Sequence, residues 1–284
     1  MQFVHSMNFQ KKCLILILQF LLIYSRASYA ETEGGICENC QLSQQSSNKT
    51  KSFAIALNEA TKDSTDWVKI DTPNSIQTSQ IVAGYPMGCQ ITSMLYTLKL
   101  GNPEYRNSYE KIPGSSDIEK IQSLASQFGA QKSRDKVNEP AFSEKYGTNP
   151  NDLPWMFQSL VSGSVPLKTI TYLIPKAYSQ KTSNMIDDFH QQVVSSLSLG
   201  KPIMIQLLYT NPSFSHAVVI TGIERQASSS KKLNIRILDP MTGKGSFASV
   251  ASGTGKLGDT DFKMLKFSDP DVTSQDGFLL SISL

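Results

Sequence analysis

The order in which hydrophobic spacing changes along the chain limits its fold more than any other feature. Up to about residue 200 apolar side chains recur at helical intervals. Ile91, Met94, Leu95 and Leu98 follow i, i+3, i+4, i+7 with Gly101 as a stop, and Ile186, Phe189, Val193 and Leu197 repeat the pattern before Gly200. Two further helices are expected at about 118–128 and 153–161, and a weaker one at 54–61. After residue 200 the apolar residues come in short, β-branched runs at 203–209, 217–223 and 234–238, with a last strand at 277–284. Helices first and then strands that read as antiparallel predict an α+β fold in one domain, not a doubly wound parallel sheet.

The folded body starts near Phe53. Before it, Lys11 and Lys12 precede a run from Cys13 to Tyr24 that is apolar except for Gln19, and small residues lead to Ala30. This is a secretory signal pattern, with cleavage expected after Ala30. The run is too short to span a bilayer, which needs about 20 apolar residues, so no stable membrane insertion is expected after cleavage. A secreted or periplasmic location follows. Residues 31–52 are polar and read as a flexible lead-in to a domain at 53–284. Removing residues 1–30 leaves 24 bases against 24 acids. That balance offers no basic face for nucleic acid.

Cysteine usage then becomes informative. Beyond the signal lie Cys37, Cys40 and Cys89. The first two form C-E-N-C and are expected to pair as a local disulfide in an oxidising compartment, in preference to a metal or redox role; Gln41 stands where a haem-attachment motif needs His. Cys89 is left without a partner. It sits between the turn A-G-Y-P-M-G and the start of a helix, where unpaired backbone N–H groups and the helix dipole favour a thiolate. The competing reading is a small buried hydrophobe.

Partners decide between these readings. His216 stands at the start of H-A-V-V-I-T-G, at the mouth of a strand, whereas His190 lies mid-helix in D-D-F-H-Q-Q and reads as solvated. Asp239 ends the next strand in I-L-D-P. A His and an Asp at the same end of adjacent antiparallel strands can hydrogen-bond, leaving the second imidazole nitrogen for the thiol. Trp155 reads as core rather than groove. The pairs Asp259/Asp261 and Asp269/Asp271 lack EF-hand spacing, and Asn48-Lys49-Thr50 is a sequon only in a eukaryotic source.

G-C-Q-I-T-S-M-L-Y-T-L, H-A-V-V-I-T-G and I-L-D-P-M-T-G-K together resemble the papain-like cysteine peptidases related to bacteriocin-processing (double-glycine leader) peptidases, in their secreted stand-alone branch. The 127 residues between Cys89 and His216 also approach the roughly 130–150 of papain-type enzymes. The resemblance spans about residues 80–246. It implies a papain-like α+β fold, a helix carrying Cys89 packed on an antiparallel sheet carrying His216 and Asp239, and no cofactor or metal. Gln80 takes the oxyanion role by the same resemblance, with Gln77 in reserve. The implied activity is a thiol hydrolase that cleaves peptide bonds through a Cys-His-Asp triad and a thioester, acting on a peptide or protein substrate. A cell-wall amidase or endopeptidase, and an inactive binding module on the same fold, are the alternatives.

Overall fold

The computed structural model describes residues 66–72, 78–136, 138–149, 151–161, 169–175, 184–210, 213–225, 232–257, 260–268 and 277–283. The signal segment, Cys37, Cys40, Asn48, the 54–61 helix and Gln77 lie outside them.

A short strand β1 (Trp67–Lys69) precedes the helical half: α1 (Cys89–Leu100), α2 (Pro103–Lys111), α3 (Asp117–Ala130), the hairpin β2 (Phe142–Ser143) and β3 (Gly147–Thr148), and α4 (Leu153–Leu160). Next come β4 (Thr169–Thr171), β5 (Leu173–Pro175) and α5 (Met185–Ser198). The strands β6 (Ile203–Thr210), β7 (Ser213–Glu224), β8 (Lys232–Asp239), β9 (Lys244–Leu257), β10 (Thr260–Ser268) and β11 (Gly277–Ser283) follow. The pairings described are all antiparallel, and β11 joins β6 on one side and β10 on the other, so β6 to β11 close on themselves. The arrangement is α+β, as the order of periods predicts.

Two apolar clusters lie on either side of this sheet. Ile203, Ile205 and Leu207 of β6, Ile220 of β7, Leu233, Ile235 and Ile237 of β8 and Val250 of β9 form one, covered by Ile186, Phe189, Val193 and Leu197 of α5. Ile91, Met94, Leu95 and Leu98 of α1 form the other with Tyr105, Ile121, Leu124 and Phe128. Each fully buried Leu, Ile or Phe contributes about 1.5–3 kcal/mol of hydrophobic stabilisation. A twelve-residue helix is marginal alone, so packing rather than propensity holds α1 in place.

Three sequence expectations change. First, α1 is buried on every side from Gln90 to Leu98, not amphipathic. Two of its polar residues find acceptors inside: Ser93 Oγ donates to Ala217 O at 3.2 Å and Thr97 Oγ1 to Ser93 O at 2.8 Å. Second, α2 was not among the expected helices. Pro103 occupies the first helical position and Asn102 Oδ1 accepts from Tyr105 N–H at 3.1 Å, a normal N-cap. Third, the hairpin β9–β10 had no strand signature, since Gly, Ser, Thr and Lys dominate it; Ala248, Val250, Leu265 and Phe267 still bury one face.

Gly101 does end α1, but in extended backbone. Its small size serves close approach: a Cβ there would lie 2.6 Å from Tyr105 Cβ. Trp155 is core-like, donating to Asp152 Oδ1 at 2.7 Å and meeting Phe128 edge-on. Asp261 lies in β10, while Asp259, Asp269 and Asp271 fall outside the described residues. Among the described residues no helix is long and apolar enough to cross a membrane.

Candidate active site

Cys89 is the first residue of α1, preceded by Gly88 at the cap. No side chain caps this terminus and no acidic residue lies in its first turn, so nothing offsets the positive end of the helix dipole. The free thiol is half-buried.

The strand register brings the other groups to it. Val219 pairs with Leu238 across β7 and β8. Continued one step, that register sets Val218 opposite Asp239, so His216 lies two residues along on the same face of the sheet, within reach of a diagonal contact. His216 is 4% exposed and Asp239 3%. His216 Nε2 and Asp239 Oδ1 are 2.9 Å apart, and the same carboxylate oxygen accepts Met241 N–H at 2.8 Å. With Nε2 on the carboxylate, Nδ1 is the nitrogen left for Cys89, which lies close enough to add to the upward push on the ring. The sequence read His216 as a strand opening; β7 in fact begins at Ser213 and His216 pairs with Leu207.

The electrostatics favour a charged imidazole. Burial pushes His216 down, but the Asp239 charge and hydrogen bond, with the Cys89 contact added, push it up to about 10. Desolvation loses to a carboxylate at 2.9 Å because the same burial that removes water also strengthens the attraction.

Gln80 is also here, although it lies nine positions before Cys89. The intervening chain is wound into turns by Ala83 N–H to Ser79 O at 2.9 Å, Tyr85 N–H to Gln80 O at 2.9 Å and Gly88 N–H to Tyr85 O at 2.8 Å. Gln80 N–H donates to Pro240 O at 2.8 Å, pinning it beside the residue that follows Asp239. Its Nε2 donates to Pro86 O, and since a carbonyl only accepts, this fixes which way the amide faces. An amide nitrogen carries two hydrogens, so one remains beyond that bond. The chain thus brings Cys89, His216, Asp239 and Gln80 together.

His190 stands apart. It is half-buried, not solvated, and its Nε2 meets Glu224 O at 2.8 Å, tying α5 to the far end of β7. Sequence reading missed Ser93, whose bond to Ala217 fastens α1 directly beside His216. The signal was available: Ser93 follows Cys89 at i+4, on the helix face that carries the thiol.

The family model described as Peptidase_C39 like family matches residues 69–251, which contain all four residues. No curated protein matches the chain.

Proposed function

The chain belongs to the Peptidase_C39-like family of papain-like cysteine peptidases, and from that premise we propose that it cleaves peptide bonds with Cys89 as nucleophile, His216 as acid and base, Asp239 as orienter and Gln80 as oxyanion donor. The observation that carries this reading is the buried imidazole with Asp239 at 2.9 Å from one nitrogen and Cys89 among the groups that push its ionisation up.

Catalysis begins with the Cys89 proton passing to His216, which leaves the electron pair on the sulfur. The thiolate attacks the substrate carbonyl, the C=O pair moves to oxygen, and the Cys89 backbone N–H and a Gln80 Nε2 hydrogen meet the resulting oxyanion. Collapse breaks the C–N bond while His216 gives its proton to the departing amine, leaving a thioester and a neutral imidazole. Water then attacks the thioester and His216 takes its proton. The acid leaves, and the thiolate and imidazolium return. Asp239 accepts the Nε2 hydrogen throughout, which holds the ring in one orientation.

We place the enzyme outside the cytoplasm, on the strength of the Lys11-Lys12 and 13–24 signal pattern, with residues 53–284 as its domain.

Alkylation of the unreduced mature protein tests the nucleophile: iodoacetamide labels Cys89 alone, faster at neutral pH than a free-cysteine control. Cys89 found in a disulfide with Cys37 or Cys40 in active protein overturns the reading. Paired zymograms test the substrate. Clearing of casein supports a peptidase, clearing of peptidoglycan alone moves the activity to cell-wall amides, and clearing of neither leaves a binding module.

A further inference from the structure

Tyr96 follows Cys89 by two helical turns on the same face of α1 and is fully buried. Its ring packs against Val219 and Leu238. These are cross-strand partners, Val219 three residues past His216 and Leu238 immediately before Asp239. Its hydroxyl donates to Thr78 O, two residues before Gln80. One side chain thus joins the helix of the nucleophile, the two strands of the base and orienter, and the segment of the oxyanion donor.

A purely apolar role would be filled equally well by Phe. The hydroxyl matters because the Thr78–Gln80 segment, buried at each residue, is tethered on its other side by Gln80 N–H to Pro240 O. Losing the phenol leaves a buried carbonyl without its donor and the segment held at one end. We propose that Tyr96 is a positioning residue for the oxyanion hole: through Thr78 it sets the Gln80 amide relative to the Cys89 N–H. The inference rests on the reading of Gln80 given above. Burial, and after it the Asp239 charge, pushes the phenol above its ordinary value, so Tyr96 remains a donor across the working range.

Two small reagents read the hole without a known substrate. Iodoacetamide alkylates a thiolate with no oxyanion. 4-Nitrophenyl acetate acylates it through a tetrahedral oxyanion. The ratio of acylation to alkylation rate at Cys89 therefore reports the hole and cancels the thiolate. In wild type this ratio exceeds that of Gln80→Ala by about 10²–10³, the usual effect of one lost oxyanion donor. Tyr96→Phe is expected to lower it by about 10–100-fold, since an ångström of misplacement is worth that much, with alkylation unchanged. In the double variant Tyr96→Phe/Gln80→Ala the ratio falls no further than in Gln80→Ala. Should Tyr96→Phe not fold, a backbone ester between Thr78 and Ser79 weakens the Thr78 carbonyl as acceptor while leaving the ring in place, and must lower the same ratio. A wild-type ratio in Gln80→Ala defeats the underlying reading. A lowered ratio there overturns this inference alone if it is accompanied by a wild-type ratio in Tyr96→Phe or in the ester, by losses that multiply in the double variant, or by alkylation falling in step.

Discussion

Two histidines hold the two ends of β7, and they are held differently. His190, on α5, meets the carbonyl of Glu224 at the far end of the strand, half-exposed. His216, near the strand's beginning, is buried between a carboxylate and a thiol. Each has a ring nitrogen at ordinary hydrogen-bond distance, so the bond by itself does not distinguish a site from a staple. Charge and burial do. A backbone carbonyl is neutral and accepts one ring N–H, whereas the buried Asp239 charge makes a second ring proton worth keeping and gives Cys89 a cation to pair with.

The largest effect expected from breaking this contrast is at His216. His216→Ala should cost amide hydrolysis on the order of 10³–10⁴ or more, the scale seen when a member of such a triad is removed, measured as cleavage of fluorescent casein. His190→Ala should stay within a few-fold; if it were the dead variant, the assignment of the site to the near end of β7 would collapse.

Next in size is the orienter. Asp239→Ala should lose far more activity than Asp239→Asn, whose amide oxygen still accepts the His216 Nε2 hydrogen. The pH profile sharpens the point. His216 must carry its proton to release the amine, so with its ionisation raised to about 10 the alkaline limb of hydrolysis should lie well above neutrality. Asp239→Asn removes the charge and should move that limb to lower pH. A limb that stays in place would mean that Asp239 does not set the imidazole's charge.

A smaller effect concerns stability. The folded His216 holds its proton more tightly than an unfolded imidazole near 6.5, so its contribution is fully present below that pH and is lost as pH rises through about 10. Thermal melting of wild type should fall across this interval, and His216→Ala should flatten the decline. The smallest effect is at His190: losing its bond to Glu224 should cost about 1 kcal/mol, read as a lower unfolding midpoint with hydrolysis per folded molecule retained. A stability cost at His190 without an activity cost is what separates a staple from a site.

Much of this was legible in the linear chain. The apolar sets of α1 and α5 are buried as their spacing predicts, because helical periodicity is a local property. The cysteine count singled out Cys89, and the ends of two neighbouring strands pointed to His216 and Asp239. The polar face of α1 was misread for a physical reason: Gln90, Thr92, Ser93 and Thr97 look solvent-facing in the sequence, yet all four are buried and Ser93 bonds to β7. The β9–β10 hairpin was missed similarly, since its pairing partners rather than its own composition make it a strand.

The sequence alone determined the α+β order, the odd thiol and the helix on which it rides, since these depend on residue type and short-range spacing. Only the tertiary structure decided that Gln80 is held against Pro240, that a mid-helix His190 is a staple, and that Ser93 and Tyr96 fasten the helix of Cys89 to the strands of His216 and to Thr78. Those contacts join positions 18 to 160 residues apart. Their energies depend on burial and on the supply of acceptors, and both exist only once the helical half and the sheet have closed on each other.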